Sequence, residues 1–361
     1  MCRKGAASNA APNHCEPERS ESLGGRPAAN PLRRVPAAPV QGKTMQGTGF
    51  LVVDGHCDVL YQLEKDGGNL KERPAGQVDL KRLKEGGVAG QFFALYTGAP
   101  QRALRALPSV LTQIKLFYRE LAANGDLVLA SSAADVRRAA QEGKVAAILS
   151  LEGGEPLGDD PGLLEVFYRL GVRAVGLTWN ERNLLAGGVA DDSGSGLTAL
   201  GREAVKLAGR LGMLVDVSHL NARSFWDVLE AAAGPVFASH SSVHARRPHP
   251  RNLTDTQARA LAARGGVIGV NFHAPFLCPE GPATLEDVVH HIDYLVELVG
   301  PEHVGLGSDF DGIPAPPQGL EGPHRFPALA AALKERGYSD AAIAQIMGEN
   351  LLRLLPGSGI N

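Results

Sequence analysis

Phe50-Leu51-Val52-Val53-Asp54-Gly55-His56-Cys57-Asp58 is the stretch on which the fold turns. It is an apolar run that closes on two side chains able to bind a metal, and alternation along a strand points His56 and Asp58 one way and Cys57 the other. Four further groups of the same chemistry, Glu152, His219, His240 and Asp309, each close another apolar run downstream. Working outward from 50–58, the β-rich runs at 88–96, 145–152, 173–179, 214–219, 236–241, 267–272 and 304–309 complete a set of eight expected strands. Helical patterns at 104–123, 197–211, 221–232, 254–264 and 285–299 lie between them, with Ser, Asp or Asn near several starts. Strands alternating with helices predict an α/β fold, a (β/α)8 TIM barrel of the metal-dependent hydrolase type. A doubly wound open sheet is the alternative, but its phosphate-binding turn is missing. Its nearest approach, Gly305-Leu306-Gly307-Ser308-Asp309-Phe310, lacks a third glycine and falls on the last strand rather than the first.

The chain has 361 residues, 44% of them hydrophobic, and a formal net charge of -3, which is enough apolar surface for a large core and argues against a nucleic-acid partner. No run of about 18 apolar residues exists, and the opening residues, with Arg3, Lys4 and Glu16, show no apolar signal region, so neither a membrane span nor secretion is expected and the location is read as cytoplasmic. Residues 1–47 are rich in Ala, Pro, Ser, Gly, Arg and Asn without periodicity, and are read as a disordered extension in which Met45 is a candidate start; residues 48–361 are read as the barrel domain. Cys2, Cys15, Cys57 and Cys278 show no zinc-binding spacing, and Cys57 reads as a small packed residue rather than a nucleophile.

In a barrel the C-terminal strand ends share one mouth. That brings together His56 and Asp58 from the first expected strand, Glu152 from the third, His219 from the fifth, His240 from the sixth and Asp309 from the eighth. Five N/O ligands exceed the three plus an open position that one catalytic zinc needs, so two metals are expected. A shared carboxylate would hold them roughly 3.5–4 Å apart, with a bridging water of lowered pKa. A calcium loop at Asp309-Phe310-Asp311-Gly312 fails on spacing, since Ile313 and Leu320 stand where oxygen ligands are required. After the sixth strand, Arg246-Arg247-Pro248-His249-Pro250-Arg251-Asn252 offers guanidinium groups suited to a carboxylate, and the two prolines single out Arg251 by restricting the chain around it.

Asp54-Gly55-His56-Cys57-Asp58, Leu151-Glu152-Gly153-Gly154, Asp216-Val217-Ser218-His219, Ser239-His240-Ser241-Ser242 with Pro250-Arg251-Asn252, Gly307-Ser308-Asp309-Phe310-Asp311-Gly312 and the closing Gly348-Glu349-Asn350-Leu351-Leu352-Arg353 together resemble the membrane (renal) dipeptidase family, peptidase family M19, over residues 50–355. The resemblance implies a soluble metallopeptidase with two zinc ions per chain, one on His56 and Asp58, the other on His219 and His240, bridged by Glu152. It makes Asp309 the acid/base that moves a proton from a metal-bridging hydroxide or water to the leaving amine. It gives Arg251 the substrate carboxylate, with Asn252 orienting that loop. The implied substrate is a small-molecule dipeptide, with a D-residue tolerated at the C-terminal side and β-lactams opened by some members; a homodimer is left open. Many members carry histidine after the Leu-Thr of the fourth strand, whereas this chain reads Leu177-Thr178-Trp179-Asn180. Trp179 and Asn180 are therefore expected in the substrate pocket, the indole narrowing it toward small N-terminal residues and the amide offering a donor. The family's lipid-anchoring tail is expected to be absent after Ile360-Asn361. Two other readings stand beside this one: a related binuclear amidohydrolase acting on N-acyl amino acids, β-lactams or lactones, and a catalytically silent barrel that binds a ligand.

Overall fold

In the computed structural model, which describes residues 49–96, 98 and 105–357, nine strands form one sheet. They are β1 (Val52–Cys57), β2 (Val88–Tyr96), β3 (Leu127–Leu129), β4 (Val145–Glu152), β5 (Val172–Gly176), β6 (Leu214–Asp216), β7 (Val236–Phe237), β8 (Ile268–Asn271) and β9 (Val304–Gly307). The pairings run β7-β6-β5-β4-β2-β1-β9-β8, all parallel. Gly269 N donates to the Ala238 carbonyl at 2.8 Å and Ala238 N to that of Val267 at 2.9 Å, which joins β8 back to β7 and closes a TIM barrel. All eight expected strands are present, two with the expected limits. The readings about residues 1–47 fall outside the described residues.

The addition is β3, whose three residues pair with the first half of β4 on the side that β5 takes over at Leu149. A three-residue strand is shorter than any period-2 pattern can reveal. Most of the helices follow the expected spans, and their starts are fixed by side chains: Ser132, Thr198 and Asn221 accept from the backbone of the first turn, and Thr254 with Gln257 forms a reciprocal capping box. Among the described residues no helix is long and apolar enough to cross a membrane.

Alternation along the strands sorts the core into two. Val145, Ala147, Leu149 and Leu151 of β4 pack outward into the layer shared with the helices, whereas Ala146 and Ile148 belong to a smaller cluster with Phe92, Ala174, Leu214 and Phe237. Phe92 and Phe237 come from strands that are not neighbours, yet their rings are 5.8 Å apart, so this cluster fills the barrel interior. Above it the interior narrows. The Ser239 carbonyl lies so near the Cα atoms of Gly269 and Gly307 that a Cβ at either would overlap it. Gly307→Ala is expected to lower stability by about 1–3 kcal/mol, the scale of overpacking where backbone cannot give way. A denaturant unfolding curve that matches the parent would contradict this packing.

Candidate metal centre

Glu152 ends β4 on the same face as Ile148, so the interior side of the strand delivers its carboxylate to the mouth. His56 is also on a strand, but Asp58 is not: β1 stops at Cys57, and Asp58 is the N-cap residue of the helix Val59–Asp66, its amide bonded to the Phe310 carbonyl at 2.9 Å. The two side chains therefore converge through a strand-to-helix turn rather than through alternation. Cys57 is fully buried in the outer core, the packed residue expected. His219, His240 and Asp309 lie just beyond the shortened β6, β7 and β9, in the loops. Among the described residues, the non-glycine positions with positive φ are His219 (68°), Asp309 (63°) and Asp311 (66°), so backbone strain collects at the mouth.

There the donor atoms meet. His56 Nε2 is 3.3 Å from Asp58 Oδ2, 3.4 Å from Glu152 Oε2 and 4.0 Å from Asp309 Oδ1. His219 Nε2 is 3.1 Å from Glu152 Oε1 and 2.8 Å from His240 Nε2. Among the described residues, two groups have ligand atoms close enough to share an ion: His56, Glu152 and His240, and His56, Asp58 and Asp309. The site passes the test of fit for a divalent metal, because the buried His56 Nε2 and Glu152 Oε2 have no hydrogen-bond partner, a costly state for atoms that a cation would satisfy.

The outer ring nitrogens are tied down. His219 Nδ1 lies 2.7 Å from Asn180 Oδ1, and His240 Nδ1 lies 2.6 Å from Ser239 Oγ, which in turn donates to the Asp216 carboxylate. With Nδ1 carrying the proton in both rings, Nε2 presents its lone pair to the centre. Asn180 also lines the cavity over the centre, and its carbonyl oxygen is the atom that orients His219. Asn271 Nδ2 donates to Asp309 Oδ2 at 2.9 Å. Behind it, Asp54 accepts from Ser308 N at 2.8 Å and from Gln91 Nε2 at 2.8 Å, fixing the residue before Asp309. Asp216, Ser239, Asn271 and Asp54 carry no ligand-like spacing of their own, and only the closed barrel brings them behind the mouth.

Burial dominates the electrostatics. It pushes the Asp309 carboxyl up to about 7, with Asp58 and Glu152 adding repulsion and His56 opposing it. Burial, then the neighbouring cations, hold His219 and His240 well below the usual histidine range, in the neutral form that binds metals.

A cavity of about 230 Å³ opens over these groups. Asp58, Glu152, His219 and Asp309 line one part of it, and Tyr61, Tyr96 and Trp179 another. Trp179 stands edge-on to Tyr96 at 5.5 Å and 6.0 Å from the His219 ring, so it borders the centre. Arg251 also lines the cavity and is buried, while Arg246 is exposed. The Arg251 guanidinium donates to the His240 carbonyl at 3.2 Å and stands 5.6 Å from the Phe276 ring, and no carboxylate among the described residues pairs with it. Burial lowers its pKa to about 10, which leaves it a cation at neutral pH. Asn252 stands with the Arg251 loop rather than at the cavity. It does not line the cavity; its amide donates to the Arg247 carbonyl at 2.8 Å and the Phe276 carbonyl at 2.9 Å, holding the loop that carries Arg251.

A TIM barrel whose mouth gathers histidines and carboxylates around buried unpaired donors defines a metal-dependent hydrolase. The family of membrane dipeptidases, peptidase family M19, matches residues 45–358, and the chain belongs to it, as a hydrolase acting on peptide bonds. It is 36% identical to Dipeptidase tcpJ of Claviceps purpurea, over 84% of this chain and 76% of that protein. The crystal structure of a metallopeptidase from Rhodobacter sphaeroides, liganded with a phosphinate mimic of the dipeptide L-Ala-D-Ala, superposes with a TM-score of 0.79 at 35% identity, covering 84% of this chain and 98% of that one. The dipeptidase AC, a metallopeptidase of family M19, gives 0.80 at 36% identity, covering 86% and 98%.

Asn180→Ala is expected to leave the fold intact and weaken binding of a divalent metal about 10–100-fold, the usual scale for losing the partner of a ligating histidine. Calorimetric titration of metal into the stripped protein reads this directly, and parent-like affinity would refute it.

Proposed function

We propose that this chain is a zinc-dependent dipeptidase that hydrolyses the peptide bond of small dipeptides, those with a D-residue at the C-terminal side included. The observation that carries the reading is Arg251: a buried guanidinium without a carboxylate partner among the described residues lines the same small cavity as the candidate ligands. A buried charge left unpaired is costly, and a substrate carboxylate would supply the bidentate partner that the fork fits. The cavity, below the roughly 300–1,000 Å³ of pockets for drug-sized ligands, suits a molecule of dipeptide size.

His56 and Asp58 would hold one zinc and His219 and His240 the second, with Glu152 between them, its two oxygens already facing His56 and His219 separately. Zinc, when bound, supplies Lewis acidity to the scissile amide and lowers the pKa of water. Asp309 carries the proton. Asn271 occupies its Oδ2, which leaves Oδ1, the oxygen facing His56, to accept a proton and return it to the departing amine nitrogen. A carboxyl raised toward neutrality is suited to both directions of transfer. Arg251 fixes the C-terminal end of the substrate. Trp179, packed on Tyr96, which itself stands edge-on to Tyr61 at 5.0 Å, forms a stiff aromatic wall that favours small N-terminal residues.

Metal analysis beside a dipeptide panel tests the function. We expect about two zinc ions per chain, activity lost to a strong chelator, and hydrolysis of free dipeptides well above that of C-terminally amidated ones, with Arg251→Ala removing the difference. Equal turnover of free and amidated substrates by the parent enzyme would exclude the carboxylate reading. Asp309→Asn is expected to keep the metal and lower kcat by about 10²-fold or more. A near-normal kcat would take Asp309 out of the reaction.

A further inference from the structure

The turn that carries Asp309 is gripped from outside the barrel. Gly312 N and Ile313 N both donate to the Asp309 carbonyl, at 3.0 and 3.1 Å, and Asp309 and Asp311 both hold left-handed backbone. Such a conformation persists only where neighbours enforce it. Phe310, between them, is one anchor: its buried ring lies 5.7 Å from Phe272 and 6.0 Å from Phe326.

Asp311 is the other anchor. Its carboxylate belongs to neither candidate metal group and is enclosed instead by residues 73–78, the segment that follows the first helix. Arg73 Nη1 donates to Oδ2, and Gln77 N donates to Oδ1 at 2.8 Å. The Gln77 side chain then spans the turn, its Oε1 accepting from Asp311 N at 2.8 Å and its Nε2 donating to the Ile313 carbonyl at 2.7 Å. With side chains 12% and 4% exposed, Arg73 and Asp311 form a desolvated pair, and removal of one partner would leave a buried charge uncompensated. Gly312 passes the grip on. A Cβ at this position would overlap Asp58 Oδ2 and Asp309 Oδ1, so the backbone lies directly against both carboxylates and cannot shift without moving them.

The geometry points to Arg73 and Asp311, with Gln77, as a clamp that positions the carboxylate of Asp309 for proton transfer. These are positioning residues, since both Asp311 oxygens are engaged by the 73–78 segment. The inference rests on the reading of Asp309 as the proton carrier. The clamp acts on rate through Asp309 and, because Gly312 also abuts Asp58, steadies that candidate ligand as well; Glu152, the three histidines and the Arg251 contact lie outside it.

The test is steady-state kinetics of the metal-loaded, full-length protein on a dipeptide substrate. Arg73→Ala is expected to lower kcat about 10–100-fold, the scale of a misplacement of about 1 Å. KM should move by less than about threefold, because Arg251 is untouched, and kcat should fall at parent metal content; a fall that only tracks lost metal would overturn the role through Asp309. Arg73→Lys should recover part of the rate, keeping the charge opposite Asp311 but losing the bond from Arg73 Nη1 to the Val78 carbonyl. Asp311→Asn should resemble Arg73→Ala, and the double variant should fall no further than the worse single one, because each substitution disables the same device. Should Arg73→Ala fail to fold, Arg73→Lys and Gln77→Ala carry the same measurement. Folded variants with parent kcat, losses that multiply in the double variant, or a change confined to KM or to melting temperature would overturn the clamp. Asp309→Asn separates the two ideas: if it leaves kcat unchanged, the role of Asp309 fails and the clamp with it, whereas an impaired Asp309→Asn beside unimpaired clamp variants removes the clamp alone.

Discussion

The placement of Ser239 at the narrow level of the barrel is the constraint from which the site follows. Its carbonyl fills the space over Gly269 and Gly307, where neither strand can carry a side chain, and its hydroxyl links the Asp216 carboxylate to His240. Ser241 N donates to the Gly269 carbonyl at 2.7 Å, so the same few residues close the barrel and aim a histidine into its mouth. The apolar cluster beneath, with Phe92 and Phe237 in contact across the interior, blocks any collapse inward. The site is therefore built on backbone that close packing has already fixed.

What sits on that backbone is electrostatically expensive. Three histidines and three carboxylates share a buried volume, and burial, with repulsion from neighbouring carboxylates added, raises Asp58 to about 6 and Asp309 to about 7 against an ordinary acidic value. Such a cluster is poorly compensated by its own hydrogen bonds, as the orphaned His56 Nε2 and Glu152 Oε2 show. Asn180, Ser239 and Asn271 each spend their side chains on orienting a group in the mouth. The strain of three left-handed non-glycine residues at the mouth belongs to the same pattern, in which order is imposed from behind and the unmet bonding faces the cavity.

The cavity also has an order. Arg251, held through its loop by Asn252, offers one fixed cation, and the aromatic group of Tyr61, Tyr96 and Trp179 offers a rigid apolar border. Between the two lie the groups competent for hydrolysis. A substrate held by a terminal carboxylate at Arg251 would have its length measured from that point, which is how a peptidase restricted to two residues excludes longer chains.

The sequence by itself determined the barrel and the identity of the metal-competent residues. Eight apolar runs, five of them closing on histidines or carboxylates, are a local pattern, readable because burial on parallel strands requires continuous apolar residues and because the mouth of a barrel collects the strand ends. It also singled out Arg251, since the flanking prolines stiffen the chain there. The tertiary structure decided the rest. Asn180 turned to His219, Asn252 turned into its own loop, Asp58 moved from strand to helix cap, and β3 formed beside β4, because each depends on partners far away in the chain. The bonds from Ser239 to Asp216, from Asn271 to Asp309 and from Arg73 to Asp311 span long separations in sequence, and a hydroxyl, an amide or a guanidinium is too common in any sequence to announce such a partner. Ligand identity is a matter of residue type and strand position, which the sequence holds, whereas ligand orientation is a matter of which side chain stands behind, which only closure of the barrel can settle.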